Sequence, residues 1–205
     1  LAGWFTYIFL RALKLSERAS FFGAISYAFS GWMIAWWEES IVIQHSIIWL
    51  PLALYASTIL WEQPKKLFKG SLLLVIALSF SILAGFLQMS IYLFGTVFFW
   101  NLYLSWKYKT SKRKAVNFVL LGAILFLTVS MTAMQWLPAF EAYQFSARGT
   151  TRATFLFETY LMPIWHLVTF FAPDFWGNPG SYNYFFPRVF YHEKVIYIGI
   201  FPLLF

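Results

Sequence analysis

Six long apolar runs, at about 1–13, 20–37, 43–61, 70–106, 115–138 and 195–205, constrain this chain more than any motif in it. Only 11% of its 205 residues are charged, whereas 60% are hydrophobic and 23% aromatic. A soluble domain carries about 25% charged residues. So few charges cannot cover so much apolar surface in water, and lipid is the natural solvent for the remainder. The runs predict an all-α, polytopic integral membrane protein. Cysteine is absent, so the sequence carries no disulfide framework.

The run 70–106 is too long for one straight span and contains "LAGFLQMS", where Gly85 and Gln88 interrupt the apolar surface. Glycine weakens a helix by roughly 1 kcal/mol against alanine, and a buried glutamine needs hydrogen-bond partners. The run therefore divides into helices 70–84 and 89–106 around a tight turn; the first is short, about 22 Å at 1.5 Å per residue. This predicts about seven transmembrane segments within a single transmembrane domain over 1–205, the first and last truncated. The chain opens on Leu1-Ala2-Gly3 and closes on an apolar run too short to span, so it reads as the interior of a longer protein.

The loops supply a test. Of the 15 Lys and Arg residues, three lie in loop 11–19 (Arg11, Lys14, Arg18), three in 62–69 (Lys65, Lys66, Lys69) and five in "KYKTSKRK", 107–114. These loops alternate onto one face only if 70–106 is divided. Cytoplasmic loops are enriched in Lys and Arg, so this face is expected inside. The lysines interleave with spans instead of forming one patch. That favours topology and anionic-lipid contact over nucleic acid. The same orientation puts Glu17 and Glu62 inside. Glu38, Glu39, Glu141, Glu158, Asp174, Glu193 and all three histidines (His45, His166 and His192) fall outside.

Residues 139–194 form one long extracytoplasmic segment on this reading. "ATFLFETYLMPIWHLVTFF" is interrupted by Glu158, Pro163 and His166 and suits an amphipathic helix lying at the outer interface. The turn-rich "APDFWGNPGSYNYFFP" follows.

Candidate chemistry gathers on that outer face. In "WWEESIVIQHSIIWLP", Glu38 and His45 are seven apart; on a continuous helix they would share a face, and across a tight connection they could converge. A carboxylate beside an imidazole can act as a base or hold a metal; an interfacial turn wetted by headgroups is the bland alternative. Gln88 stands at the outer tip of the broken helix pair, as pocket floor or simple turn. Arg148 and Arg152 in "SARGTTR" could meet a phosphate, or pair with Glu141 or Glu158. His166, Asp174 and Asn178 complete the candidate substrate-binding set, with Asp174 equally suited to capping a turn. No glycine-rich phosphate loop, HExxH or GxSxG is present.

The stretches "LAGWFTYIFLRALKLSERASFFGAISYAFSGWMIAWWE", "HSIIWLPLALYA", "LAGFLQMSIY", "MQWLPAFEAYQFSARG" and "APDFWGNPG…YIGIFPLLF" resemble, in order, bacterial YfhO-like membrane proteins, a branch of the GT-C glycosyltransferase superfamily. The resemblance implies a plasma-membrane enzyme that moves a sugar from a polyprenyl-phosphate donor to an outer-face acceptor, with membrane lipid and the lipid-linked sugar as partners. It casts Glu38 and His45 as cavity-lining catalytic groups and Arg148 and Arg152 as phosphate contacts. A divalent metal is an optional cofactor. Two departures stand out. Family members often show Gly-His-Pro-Gln where this chain has Gly85-Phe86-Leu87-Gln88. The family's key carboxylate sits in a first outer loop that would lie upstream of Leu1. The competing classes are a flippase or transporter of lipid-linked saccharides and a non-catalytic scaffold. A transporter should place polar residues near the bilayer midplane, whereas here they gather at the outer boundary.

Overall fold

The computed structural model describes residues 1–108, 111–146, 163–183, 185, 191 and 197. Every element among them is helical: α1 (Ala2–Ala12), α2 (Glu17–Ala28), α3 (Gly31–Glu39), α4 (Ile41–Ile47), α5 (Leu50–Glu62), α6 (Leu67–Leu83), α7 (Leu87–Lys107), α8 (Ser111–Met131) and α9 (Ala133–Gln144), with 3-10 turns at Pro64–Lys66, Ile164–Phe170 and Pro179–Ser181. Among the described residues, four stretches are long and apolar enough to cross a bilayer: Ile41–Glu62, Pro64–Leu83, Leu87–Lys107 and Lys114–Met131. The chain is an integral membrane protein, all-helical over the described residues.

The expectation of seven segments meets a helix of crossing length at four of them. The divided run is found as expected: Gly85 turns the chain at φ +96°, a conformation glycine adopts without steric cost, and α6 and α7 flank it. The short first half is longer than expected. α6 begins at Leu67, and with the 3-10 turn opened by Pro64 the stretch runs 20 residues. The run 20–37 is not one helix. It breaks at Phe29–Ser30 into α2 and α3, of 12 and 9 residues. Ser30 is extended (φ −61°, ψ 149°) and its Oγ accepts from the Met33 amide at 3.4 Å, an N-cap that restarts the helix. α1 has 11 residues, and the last apolar run lies outside the described residues apart from Tyr197.

The chain forms two compact units. One comprises Leu1–Ala24 and Val42–Ala139, the other Ile25–Ile41 and Phe140–Phe205. In the first, α5 is the central helix, packed by α1, α6 and α7, and α8 packs on α6. Ala53 and Ala56 of α5 are fully buried among Leu74, Ala77, Leu78, Leu93 and Val97. Small residues let these helices approach closely. At Gly70, a Cβ would stand 2.8 Å from Leu60 Cδ2 and 3.3 Å from the Ala56 carbonyl oxygen. Trp61, Asn101 and Ser57 form one buried hydrogen-bonded set inside the unit. The Trp61 indole donates to Asn101 Oδ1 (2.9 Å), and Asn101 Nδ2 donates to Ser57 Oγ (3.1 Å) and the Val97 carbonyl (2.8 Å). Such pairing is what a low-dielectric surround demands.

In the second unit, the Gly31 amide donates to the Tyr197 carbonyl at 2.6 Å. The helix expected over 153–171 has its first ten residues outside the described set. Its last part, Ile164–Phe170, is a 3-10 turn and not an α-helix. Pro163, extended at ψ 145°, cannot donate into a preceding helical turn and starts this one afresh.

Candidate functional site

Ser40 separates the two halves of the Trp36–Pro51 stretch. Its backbone is extended (φ −155°, ψ 97°) and its amide closes α3 on the Trp36 carbonyl. Glu38 and Glu39 therefore end α3 in the second unit, both exposed, while His45 lies in α4 of the first. The shared face of one continuous helix is not realised.

His45 is half-buried between two fully packed neighbours, Gln44 and Ser46. Ser46 carries the local architecture. Its Oγ donates to the Val42 carbonyl (3.0 Å), and its own carbonyl accepts from Ser81 Oγ (2.7 Å). Ser81 and Ser90 then close on each other: their hydroxyls lie 3.1 Å apart, and Ser90 Oγ donates to the Ser81 carbonyl at 2.9 Å. These three buried serines tie α4 to the α6–α7 turn and so bring His45 and Gln88 to one end of the first unit. Gln88 is exposed there, its Nε2 donating to the Tyr92 hydroxyl at 2.8 Å. Its side chain is thus exposed and not the floor of a buried pocket. Gln135 joins them, its Nε2 3.6 Å from where a Cβ on Gly85 would sit. Ser46, Ser81, Ser90 and Gln135 were not singled out by sequence. The only signal is a small hydroxyl or amide inside an apolar run.

The opposite end of this unit is basic. Glu62 at the end of α5 meets Lys107 at the end of α7 (3.7 Å) and accepts from the Tyr108 hydroxyl. Burial, and then that hydrogen bond, hold the Tyr108 phenol above its ordinary pKa. Because α5 ends where α6 begins, Lys65, Lys66 and Lys69 belong here too. α1 runs from Phe5 on Trp49 (ring centroids 5.5 Å) to Phe9 on Trp100 (5.6 Å), so Arg11 and Lys14 reach the same end. α8 starts there as well, with Phe118 edge-on to Trp61 at 5.9 Å. The unit's only acids, Glu17 and Glu62, lie at this end. Among the described residues of the unit, no Asp, Glu, Lys or Arg lies at the His45–Gln88 end.

In the second unit, His166, Asp174 and Asn178 come from one compact stretch. His166 is buried with its ring 6.2 Å from that of Trp176, and its carbonyl accepts from Thr169 Oγ1 at 2.7 Å. Asp174 is exposed and accepts from the Tyr191 hydroxyl at 2.6 Å. Asn178 is largely engaged in the loop itself: its Oδ1 caps Ser181 (2.9 Å) and its amide donates to Asn183 Oδ1 (3.0 Å). Arg148 and Arg152 lie outside the described residues. Among the described residues, no three His, Asp or Glu side chains converge on a point where a metal ion could be held. No family model, curated protein or solved structure matches the chain.

Proposed function

We propose that this chain works in a bacterial plasma-membrane glycosyltransferase, transferring a sugar from a polyprenyl-phosphate donor to an acceptor on the extracytoplasmic face. The observation that carries the reading is the polarity of the first unit. All its described cations and acids stand at one end, and His45, Gln88 and Gln135 stand at the other. The basic end faces the cytoplasm by the positive-inside rule, which leaves the histidine end outside. Within the four crossing stretches, Lys, Arg, Asp and Glu occur only at that basic end. A transporter with a midplane binding site would place polar contacts deeper.

On this reading, an acceptor hydroxyl attacks the anomeric carbon of the donor sugar. A carboxylate takes the hydroxyl proton, and Glu38 is a candidate for lining the cavity where this happens. The bond from the anomeric carbon to the phosphate oxygen breaks, and the phosphate leaves with its electron pair. Arg148 and Arg152 are the cations proposed to meet its growing charge, the kind of stabilisation worth most in a water-poor site. Asp174, exposed in the same unit as Glu38, would supply a further polar contact, with Asn178 holding the loop in shape.

Transfer of radiolabelled sugar from its polyprenyl phosphate, measured in membranes, tests this. The Arg148→Ala/Arg152→Ala chain should insert normally and lose transfer by about 100-fold or more, the scale of a removed transition-state contact. Undiminished transfer would refute the phosphate role.

A further inference from the structure

We propose that the basic end of the first unit is a binding face for anionic phospholipid headgroups, built from Arg11, Lys14, Lys65, Lys66, Lys69 and Lys107. This inference does not depend on the sugar-transfer reading.

Three observations point to a lipid partner. The first is charge. These six side chains are exposed, and one of the two nearby acids, Glu62, is already engaged by Lys107 and Tyr108. The remaining cations face no comparable set of acids within the unit. The second is the local field. Lys65, Lys66 and Lys69 crowd the start of α6, which has no acid in its first turn and no side-chain cap. The amide ends of a helix are themselves positive, so three lysines there repel the helix dipole as well as one another, and an anion relieves both. The third is position. Lys65, Lys66, Lys69 and Lys107 lie at the ends of stretches of membrane-crossing length, which puts them at the headgroup level of one leaflet. Beside them, Phe68 (82% exposed) and Trp106 (76%) present the apolar surface expected at the lipid–water boundary. A basic cluster at that depth is what recognises anionic lipid, at a strength that salt reduces.

The chain reconstituted into phosphatidylcholine vesicles, with trace spin-labelled phosphatidylglycerol or spin-labelled phosphatidylcholine, reports the immobilised fraction of each lipid. The expected result is a preference of about fivefold or more for phosphatidylglycerol, the effect of roughly one well-placed cation. It should shrink as salt rises and fall several-fold in Lys65→Gln/Lys66→Gln/Lys69→Gln. Equal immobilisation of the two lipids by the unsubstituted chain would overturn the proposal. So would a preference that neither salt nor the triple substitution reduces in a chain of unchanged helix content.

Discussion

Asn101 illustrates what a single polar residue does inside this protein. It is almost fully buried and occupies three partners at once: the Trp61 indole, Ser57 and the Val97 carbonyl. Asn101→Leu is nearly isosteric, yet it orphans the buried Trp61 N–H. Thermal unfolding in detergent should show a loss of roughly 1–2 kcal/mol, with part of it recovered when Trp61→Phe is added. Equal stability of the single variant and the parent would mean that this network holds nothing. Neither this set nor Ser46–Ser81–Ser90 was legible beforehand. Its bonds join residues 40 and 44 apart in sequence, and Ser81 reaches Ser46 across 35. An isolated Ser or Asn in an apolar run carries no local mark of its distant partner. His45 and Gln88 were legible for the opposite reason, as polar residues bordering long apolar stretches, but the serines that bring them to one end were not.

At the scale of elements, the α6–α7 turn and the α2–α3 break show why one interruption was readable and another passed over. The first combined a glycine, a glutamine and an independent test: only a divided run puts the lysine-rich loops on one face. The second rests on Ser30 and Gly31 alone, in a run whose length already suited a single crossing, so nothing compelled a break. The helix expected through Pro163 failed where proline physics takes effect, at the start of the Ile164–Phe170 turn. Gly85→Ala tests the turn. At φ +96° an added Cβ is strained although the nearest atom beyond the turn is 3.6 Å away, so the cost is conformational, about 1 kcal/mol or more. A lowered melting temperature with unchanged helix content is expected. A variant as stable as the parent would contradict the left-handed turn.

At the scale of the whole molecule, composition pointed to lipid as the solvent, with 60% hydrophobic against 11% charged residues, and the lengths of the apolar runs pointed to helices. The alternation of basic loops anticipated the charge polarity of the first unit. What the sequence could not convey is which side chains share an end of that unit, since this depends on α1, α5, α7 and α8 running side by side. The account stands on that polarity, and the absence of cysteine makes it directly measurable. Single cysteines at Lys66 and Gln88, both exposed, can be probed with a membrane-impermeant maleimide in intact cells and in inverted vesicles. Gln88→Cys should label in intact cells and Lys66→Cys only in inverted vesicles. Labelling of both from the same side would contradict the account.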